Sequence, residues 1–139
     1  MEGYNTELKL RIDWSEMDLY GHVNNVSFFK YIQAARVNYW EKIGLNHLHN
    51  MQNLGPILAS TGCQFKKPLF FPGNITIKSK VGFIKNTSFS IQHVILNDQH
   101  EIAAEAEDII VVYDFNKNEK AGIPGFLKES IEKTEGKTF

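Results

Sequence analysis

The sequence predicts an α+β protein in which a five-stranded antiparallel sheet wraps one long central helix. Three observations carry this reading. Five stretches alternate apolar and polar residues with a period of two, one stretch over 25–43 is apolar at helical spacing, and the order runs strand, helix, then four strands joined by short polar connections. A sheet buries one face against a helix, and a helix this apolar calls for a sheet that curls around it.

Leu8, Leu10, Ile12 and Trp14 alternate with Glu7, Lys9, Arg11 and Asp13, which gives the first strand. Residues 15–25 lose the alternation and read as a loop feeding a helix that Asn24 or Asn25 would cap. From Val26 to Ile43 only a narrow polar stripe remains, near Lys30, Gln33, Arg36 or Val37, and Glu41, so the helix is expected to be buried over most of its circumference. Gly44 stops it. A polar connector through Asn53 follows. Alternation then returns over 57–65, 75–83, 89–95 and 102–113, with KKPLFFPGN, KNTS and NDQH as the connections. A short helix near 124–133 starts at Pro124 or Gly125, and the charged residues from about Lys128 are expected to fray into a tail. With no repeat or linker-like tract, 1–139 reads as one folding unit.

The chain has 139 residues, 42% hydrophobic and 22% charged, enough for one core and too few for two domains. A net charge of -1 lacks the broad basic field of a nucleic-acid binder, and no apolar run is long enough to enter a membrane as a span. The N-terminus is polar where a signal peptide would be apolar. The lone Cys63 cannot build a disulfide framework, which points to a reducing, cytoplasmic location. No set of His, Cys and acidic residues falls at ligand spacing, so no metal is expected. Apolar surface left on the helix and an unpaired sheet edge together imply a homodimer or homotetramer.

The chemistry concentrates in Asp13-Trp14-Ser15-Glu16-Met17-Asp18-Leu19-Tyr20-Gly21-His22-Val23-Asn24-Asn25, the loop entering the helix. A helix N-terminus presents unpaired N–H groups and a partial positive charge, which polarise a carbonyl and hold a developing oxyanion. Asp18, a few residues upstream, could attack the same activated acyl group or serve as base to a water. Asn24 and Asn25 suit a helix cap and an oxyanion donor equally, because both roles use the same geometry. His22 could orient Asp18 or a water, or simply hold the loop.

The segment Glu16-x-Asp18-x-x-Gly21-His22-Val23-Asn24-Asn25 resembles the loop before the central helix of hotdog-fold acyl-CoA thioesterases of the 4-hydroxybenzoyl-CoA thioesterase type. The likeness continues through FFKYIQAARVNYWEKIG, FKKPLFFPGNITIKSKV, KNTSFSIQHVILN and VVYDFNKNEKAGIP. It implies a hotdog fold and hydrolysis of an acyl-CoA or acyl-carrier-protein thioester with no cofactor, CoA being part of the substrate. By position it makes Asp18 the catalytic carboxylate, with His22 and Asn25 beside it. The thioester carbonyl would meet the N–H groups at Val23, Asn24, Asn25 and Val26, with Gly21 allowing the chain to approach closely. The acyl group would lie along the helix, and Cys63 is expected as a small buried lining residue rather than a nucleophile. Lys66, Lys67 and Lys85 lie where CoA phosphates could meet them, and the hydroxyl pair Thr87 and Ser88 could bond the substrate or Asp18, or merely form a hairpin turn. Glu16 stands where the pattern has Asp, Asn25 where one branch has His, and Gln33 where another has Glu. A non-catalytic acyl-thioester-binding module is the competing reading. A hydratase or dehydratase of the same fold ranks lower, since its Asn-Pro segment is missing from this sequence.

Overall fold

Strand β1 (Thr6–Arg11) lays Leu8 and Leu10 against the core in the computed structural model, which describes residues 1 and 3–139. The alternation suggested a longer strand. It stops because Asp13 caps a single 3-10 turn over Trp14–Glu16, its carboxylate accepting from Ser15 while Glu16 accepts from the Asp13 N–H. Helix α1 (Asn25–Lys42) is capped by Asn24, whose Oδ1 accepts from the Ser27 N–H at 2.8 Å. After Ile43 and a left-handed Gly44 at φ +75°, helix α2 (Leu45–Gln52) replaces the expected polar connector. Its buried Leu45 and Leu48 lie three residues apart, the spacing of one helical face.

Strands β2 (Leu54–Phe65), β3 (Asn74–Ile84), β4 (Ser88–Leu96) and β5 (Ile102–Asp114) follow, with a two-residue β6 (Glu119–Lys120) added at the end of β5. The order is β1-β3-β4-β5-β2, every pair antiparallel, and α1 lies against β1, β3 and β4. This is the predicted five-stranded sheet around a central helix, plus β6. Helix α3 (Gly125–Glu135) buries Leu127 and Ile131 and runs through the stretch expected to fray. Beyond it the Phe139 N–H still donates to Glu132.

The sheet covers only one side of α1. Phe28, Tyr31, Ile32, Ala35, Arg36 and Tyr39 are buried, whereas Val26 and Val37 are 66% and 40% exposed, so the expectation of burial over most of the circumference is not met. On the far edge, β2 has no neighbour beyond it among the described residues, and residues 57–62 are exposed. An unpaired strand of this length beside an apolar helix face is a surface that sheets normally cover.

The core divides in two. One apolar cluster, including Phe28, Ile32, Ile77, Ile95 and Ala106, lies toward the N-terminal end of α1, and a second, including Tyr39, Val81, Ile91 and Ile110, lies toward α2 and α3. The inward positions between them are polar on every strand that crosses the divide: Ser79 between Ile77 and Val81, His93 between Ile95 and Ile91, Asp108 between Ala106 and Ile110.

Candidate active site

The loop before α1 is held from both ends. Glu16 is buried and takes the Asp13 N–H at 2.8 Å, the Tyr31 hydroxyl at 2.7 Å and the Lys30 ammonium at 3.3 Å. Burial opposes its ionisation, yet these three donors prevail and draw its carboxyl below the usual range. The same contact and burial push the Tyr31 phenol up. Glu16 is therefore a brace for the loop. The Met17–Val23 bridge and the Val23 N–H to the Leu69 carbonyl at 2.9 Å close the loop's neck.

Asp18 sits exposed at the tip. Its Oδ1 accepts from the Tyr20 N–H at 2.8 Å and the His22 N–H at 2.9 Å, and Gly21 supplies the φ of +83° that turns the chain back. The His22 bond is the largest influence on its carboxyl; slight desolvation opposes it, the Tyr20 bond and the imidazole add to it, and the result lies below the ordinary range. Oδ2 has no hydrogen-bond partner among the described residues. The carboxylate is thus ionised, oriented and half free.

Asp18, His22, Val23 and Asn25 line one cleft of about 410 Å³ together with Phe28, Phe65, Lys66, Lys67 and Pro68. The His22 ring meets Phe70 edge-on at 5.1 Å. Of the four N–H groups expected to face a carbonyl, two are engaged inside the protein: Val23 on Leu69 and Asn24 on Glu16. The Asn24 side chain is also occupied, accepting from Ser27 and donating to the Glu16 carbonyl, so Asn24 acts as a cap. Asn25 and Val26, in the first turn, retain N–H groups with no acceptor among the described residues. Gly21 borders a second cleft of about 450 Å³ on the other side of Asp18, beside Trp14, Leu19 and Phe71.

Three expected residues lie elsewhere. Thr87 and Ser88 stand at the opposite end of the sheet. Ser88 pairs with Val111, seven residues along β5 from the Ala104 that pairs with Phe65, which is about 23 Å at the rise of a strand. Cys63 is half-buried on the inner face of β2, two residues from Phe65, and burial raises its thiol, as befits a lining residue. Lys67, named with Lys66 as a residue that CoA phosphates could meet, reaches the cleft and is paired with Glu101, and Phe65, given no site role in the sequence, reaches it too.

The sequence reading also missed the polar layer of the core. Arg36 donates from Nε to Asp108 Oδ2 at 2.9 Å and from Nη2 to Oδ1 at 3.1 Å; Thr61 donates to Oδ1 at 2.7 Å, and His93 Nε2 lies 2.8 Å from Oδ2. His93 Nδ1 in turn meets Ser79 Oγ at 2.8 Å. Desolvation works against the charge on Asp108, but the His93 and Arg36 bonds, with Thr61, overcome it and hold its carboxyl at about 2. Of the two residues left open for the solvent stripe of α1, Val37 is 40% exposed and Arg36 only 7%. The missed signal was in the alternation: Thr61, Ser79, His93 and Asp108 interrupt the inward apolar phase of four strands.

A curled antiparallel sheet around one long helix is the hotdog fold. Residues 12–131 match the Thioesterase-like superfamily, and the chain belongs to it. Among similar proteins, the long-chain acyl-CoA thioesterase FadM of Escherichia coli is 24% identical over 91% of this chain and 96% of its own length. The uncharacterized protein YsmA of Bacillus subtilis is 26% identical over 62% of this chain, a match spanning 57% of that protein. Among solved structures, a Thermus thermophilus thioesterase complexed with coenzyme A and Zn superposes with a TM-score of 0.87 at 22% identity over the full length of both chains. A DHNA-CoA thioesterase from Staphylococcus aureus gives 0.82 at 15% identity, covering 94% of this chain and 91% of that one. Among the described residues no helix is long and apolar enough to cross a membrane.

Proposed function

We propose that this protein is a cytoplasmic acyl-CoA thioesterase related to the 4-hydroxybenzoyl-CoA type, hydrolysing an acyl-CoA or acyl-carrier-protein thioester to a free acid and a thiol. The observation that carries the reading is one cleft joining an ionised, half-free Asp18 to the open first turn of α1. In this scheme the thioester carbonyl accepts from the Asn25 and Val26 N–H groups. Asp18 takes a proton from a water whose oxygen bonds to the carbonyl carbon, and the helix N-terminus holds the oxyanion. The tetrahedral intermediate collapses by breaking the C–S bond, and the leaving thiolate recovers the proton from Asp18. Direct attack by Asp18 through an anhydride, later hydrolysed by water, uses the same geometry. His22 fixes Asp18 through its N–H and flanks the water with its ring. Lys66 and Lys67 supply positive charge where CoA phosphates leave the cleft.

A homodimer through β2 completes this arrangement. Antiparallel pairing of two β2 edges would set the Leu54 end of one copy beside the Phe65 end of the other. That would carry Thr87 and Ser88 of the second copy toward the first copy's Asp18, which accounts for a hydroxyl pair so far from the site within one chain.

The test follows free-thiol release from a panel of acyl-CoA substrates for wild type, Asp18→Asn and Asp18→Ala. Loss of turnover in both variants supports the assignment. Undiminished release in both removes Asp18 from the mechanism; release from no substrate, with binding by calorimetry, makes the protein an acyl-thioester-binding module.

A further inference from the structure

Helix α1 carries a continuous stripe from the site into the polar layer. Asn25, Phe29, Ile32 and Arg36 follow one another at spacings of four, three and four residues, and so share one side of the helix. Both ends of the stripe reach toward β2, the Phe29 and Phe65 rings lying 6.4 Å apart and Arg36 and Thr61 meeting on Asp108, while Ile32 between them is fully buried in the core. Along the inner face of β2 the stations from the cleft are Phe65, Cys63 and Thr61. An acyl group whose carbonyl rests at Asn25 and whose tail follows this seam passes apolar walls first. After about 13 Å along the strand, or about 16 Å along the helix, it meets Arg36.

Arg36 is not fully satisfied there. Its Nε and Nη2 are engaged by Asp108, and Nη1 has no acceptor among the described residues. Nη1 is not sealed away either, since Trp40 Nε1 is the one fully buried side-chain nitrogen or oxygen without a partner among them. With Asp108 accepting four donors, the guanidinium is locked in place and keeps one donor group, Nη1, without an acceptor among the described residues. An alkyl tail covering Nη1 would strip its water and return nothing, whereas a hydroxyl or oxo group would accept the bond.

We propose that Arg36 is the specificity-determining residue for the acyl group: it admits a tail bearing a hydrogen-bond acceptor at that depth and rejects a plain alkyl tail of the same length. This rests on the thioesterase reading and on the carbonyl lying at the α1 N-terminus. It also gives a reason for a charged layer in the core, where an apolar one would have served stability as well or better.

The experiment compares kcat/KM for lauroyl-CoA and ω-hydroxylauroyl-CoA, with hexanoyl-CoA as the short reference. The same comparison is made for binding of the unhydrolysable thioether analogues, so the profile is read even if no thioester is cleaved. Wild type is expected to prefer the ω-hydroxyl chain by about 10-fold or more. In Arg36→Lys, which keeps a cation for Asp108 but loses the fork, the preference should fall toward unity. In Arg36→Met/Thr61→Val/His93→Leu/Asp108→Leu, which makes the layer apolar, it should reverse in favour of lauroyl relative to hexanoyl. Should the fourfold variant not fold, Arg36→Lys alone decides. Equal handling of the two chains by wild type, or a preference that survives Arg36→Lys, overturns the proposal. Failure to cleave hexanoyl-CoA with the binding preference intact overturns hydrolysis and leaves the assignment of Arg36 standing.

Discussion

Asp18 and Asp108 are both held below the ordinary carboxylate range, and they reach that state by opposite routes. Asp18 stands in water, steadied on one oxygen by two backbone N–H groups of its own turn, and its other oxygen has no partner among the described residues. Asp108 is sealed between helix and sheet with four donors on its two oxygens. An exposed carboxylate with a spare oxygen can exchange protons or attack. A saturated buried one can only hold other groups in place. On the proposed function the loop carries the chemistry and the core the selection, and each half can be broken separately.

The largest effect is expected at the exposed residue. Asp18→Asn keeps an amide oxygen for the Tyr20 and His22 N–H groups, so the loop should persist and the melting temperature stay close to wild type. The base is lost, and kcat/KM should drop by about 10²–10⁴. In the proposed mechanism the active form is the ionised one, and its pKa is lowered. The acid limb of the pH–rate profile should therefore lie below the ordinary aspartate value of about 3.9, with rate falling as pH falls. An acid limb near neutrality would point to another group.

Asp108→Ala should do the reverse, acting on stability. It leaves the Arg36 charge buried without its partner, a loss of about 3–5 kcal/mol measurable by urea denaturation. The sign of the pH dependence follows from a folded-state value of about 2 set beside an unfolded one near 3.9. The contribution of Asp108 is present in full above the unfolded value and is lost as pH falls through about 4 toward 2. In the variant the slope of stability against pH over that window should be shallower. An unchanged slope would mean that Asp108 is not the residue being protonated.

Between these sits Glu16, buried like Asp108 but braced to the loop like Asp18. Glu16→Ala removes the acceptor of the Asp13 N–H and the Tyr31 hydroxyl, and should cost about 2 kcal/mol. Because the loop then loses its brace, kcat should fall more than KM rises. A stability loss with intact kcat would show that the neck at Val23 and Leu69 alone positions Asp18.

The two halves differ in how far the sequence disclosed them. The loop is local: Asp18, Gly21, His22 and the Asn24 cap lie within seven residues, and turn and capping chemistry is written in residue type and spacing. The sheet and α1 were legible for the same reason, since their periods are short-range. The polar layer is a product of pairing. Thr61, Ser79, His93 and Asp108 come from four strands and become neighbours only through the registers Ser79 to His93 and Thr61 to Asp108. The stripe left Arg36 and Val37 as alternatives because a lone charge on an apolar helix reads as solvent-facing until its partner, 72 residues away, is known. The α2 helix was hidden by its polar residues, which obscured the pair Leu45 and Leu48.

The smallest effect should come from the rim of the cleft. Lys67 and Glu101 form an ion pair with both side chains about half exposed, and such pairs contribute at most about 1 kcal/mol because water screens them and two long side chains must be ordered. Lys67→Ala should accordingly leave the urea midpoint nearly unchanged. Its effect belongs to substrate binding: if the ammonium meets a CoA phosphate outside the reacting centre, KM for acyl-CoA should rise a few-fold with kcat unchanged, the signature of binding lost equally in ground and transition states. The rise should shrink as ionic strength increases toward the regime where the Debye length is about 3 Å. A change in kcat instead, or one indifferent to salt, would move Lys67 from the phosphate path to the geometry of the β2–β3 turn, where its N–H and that of Lys66 share the Ala103 carbonyl.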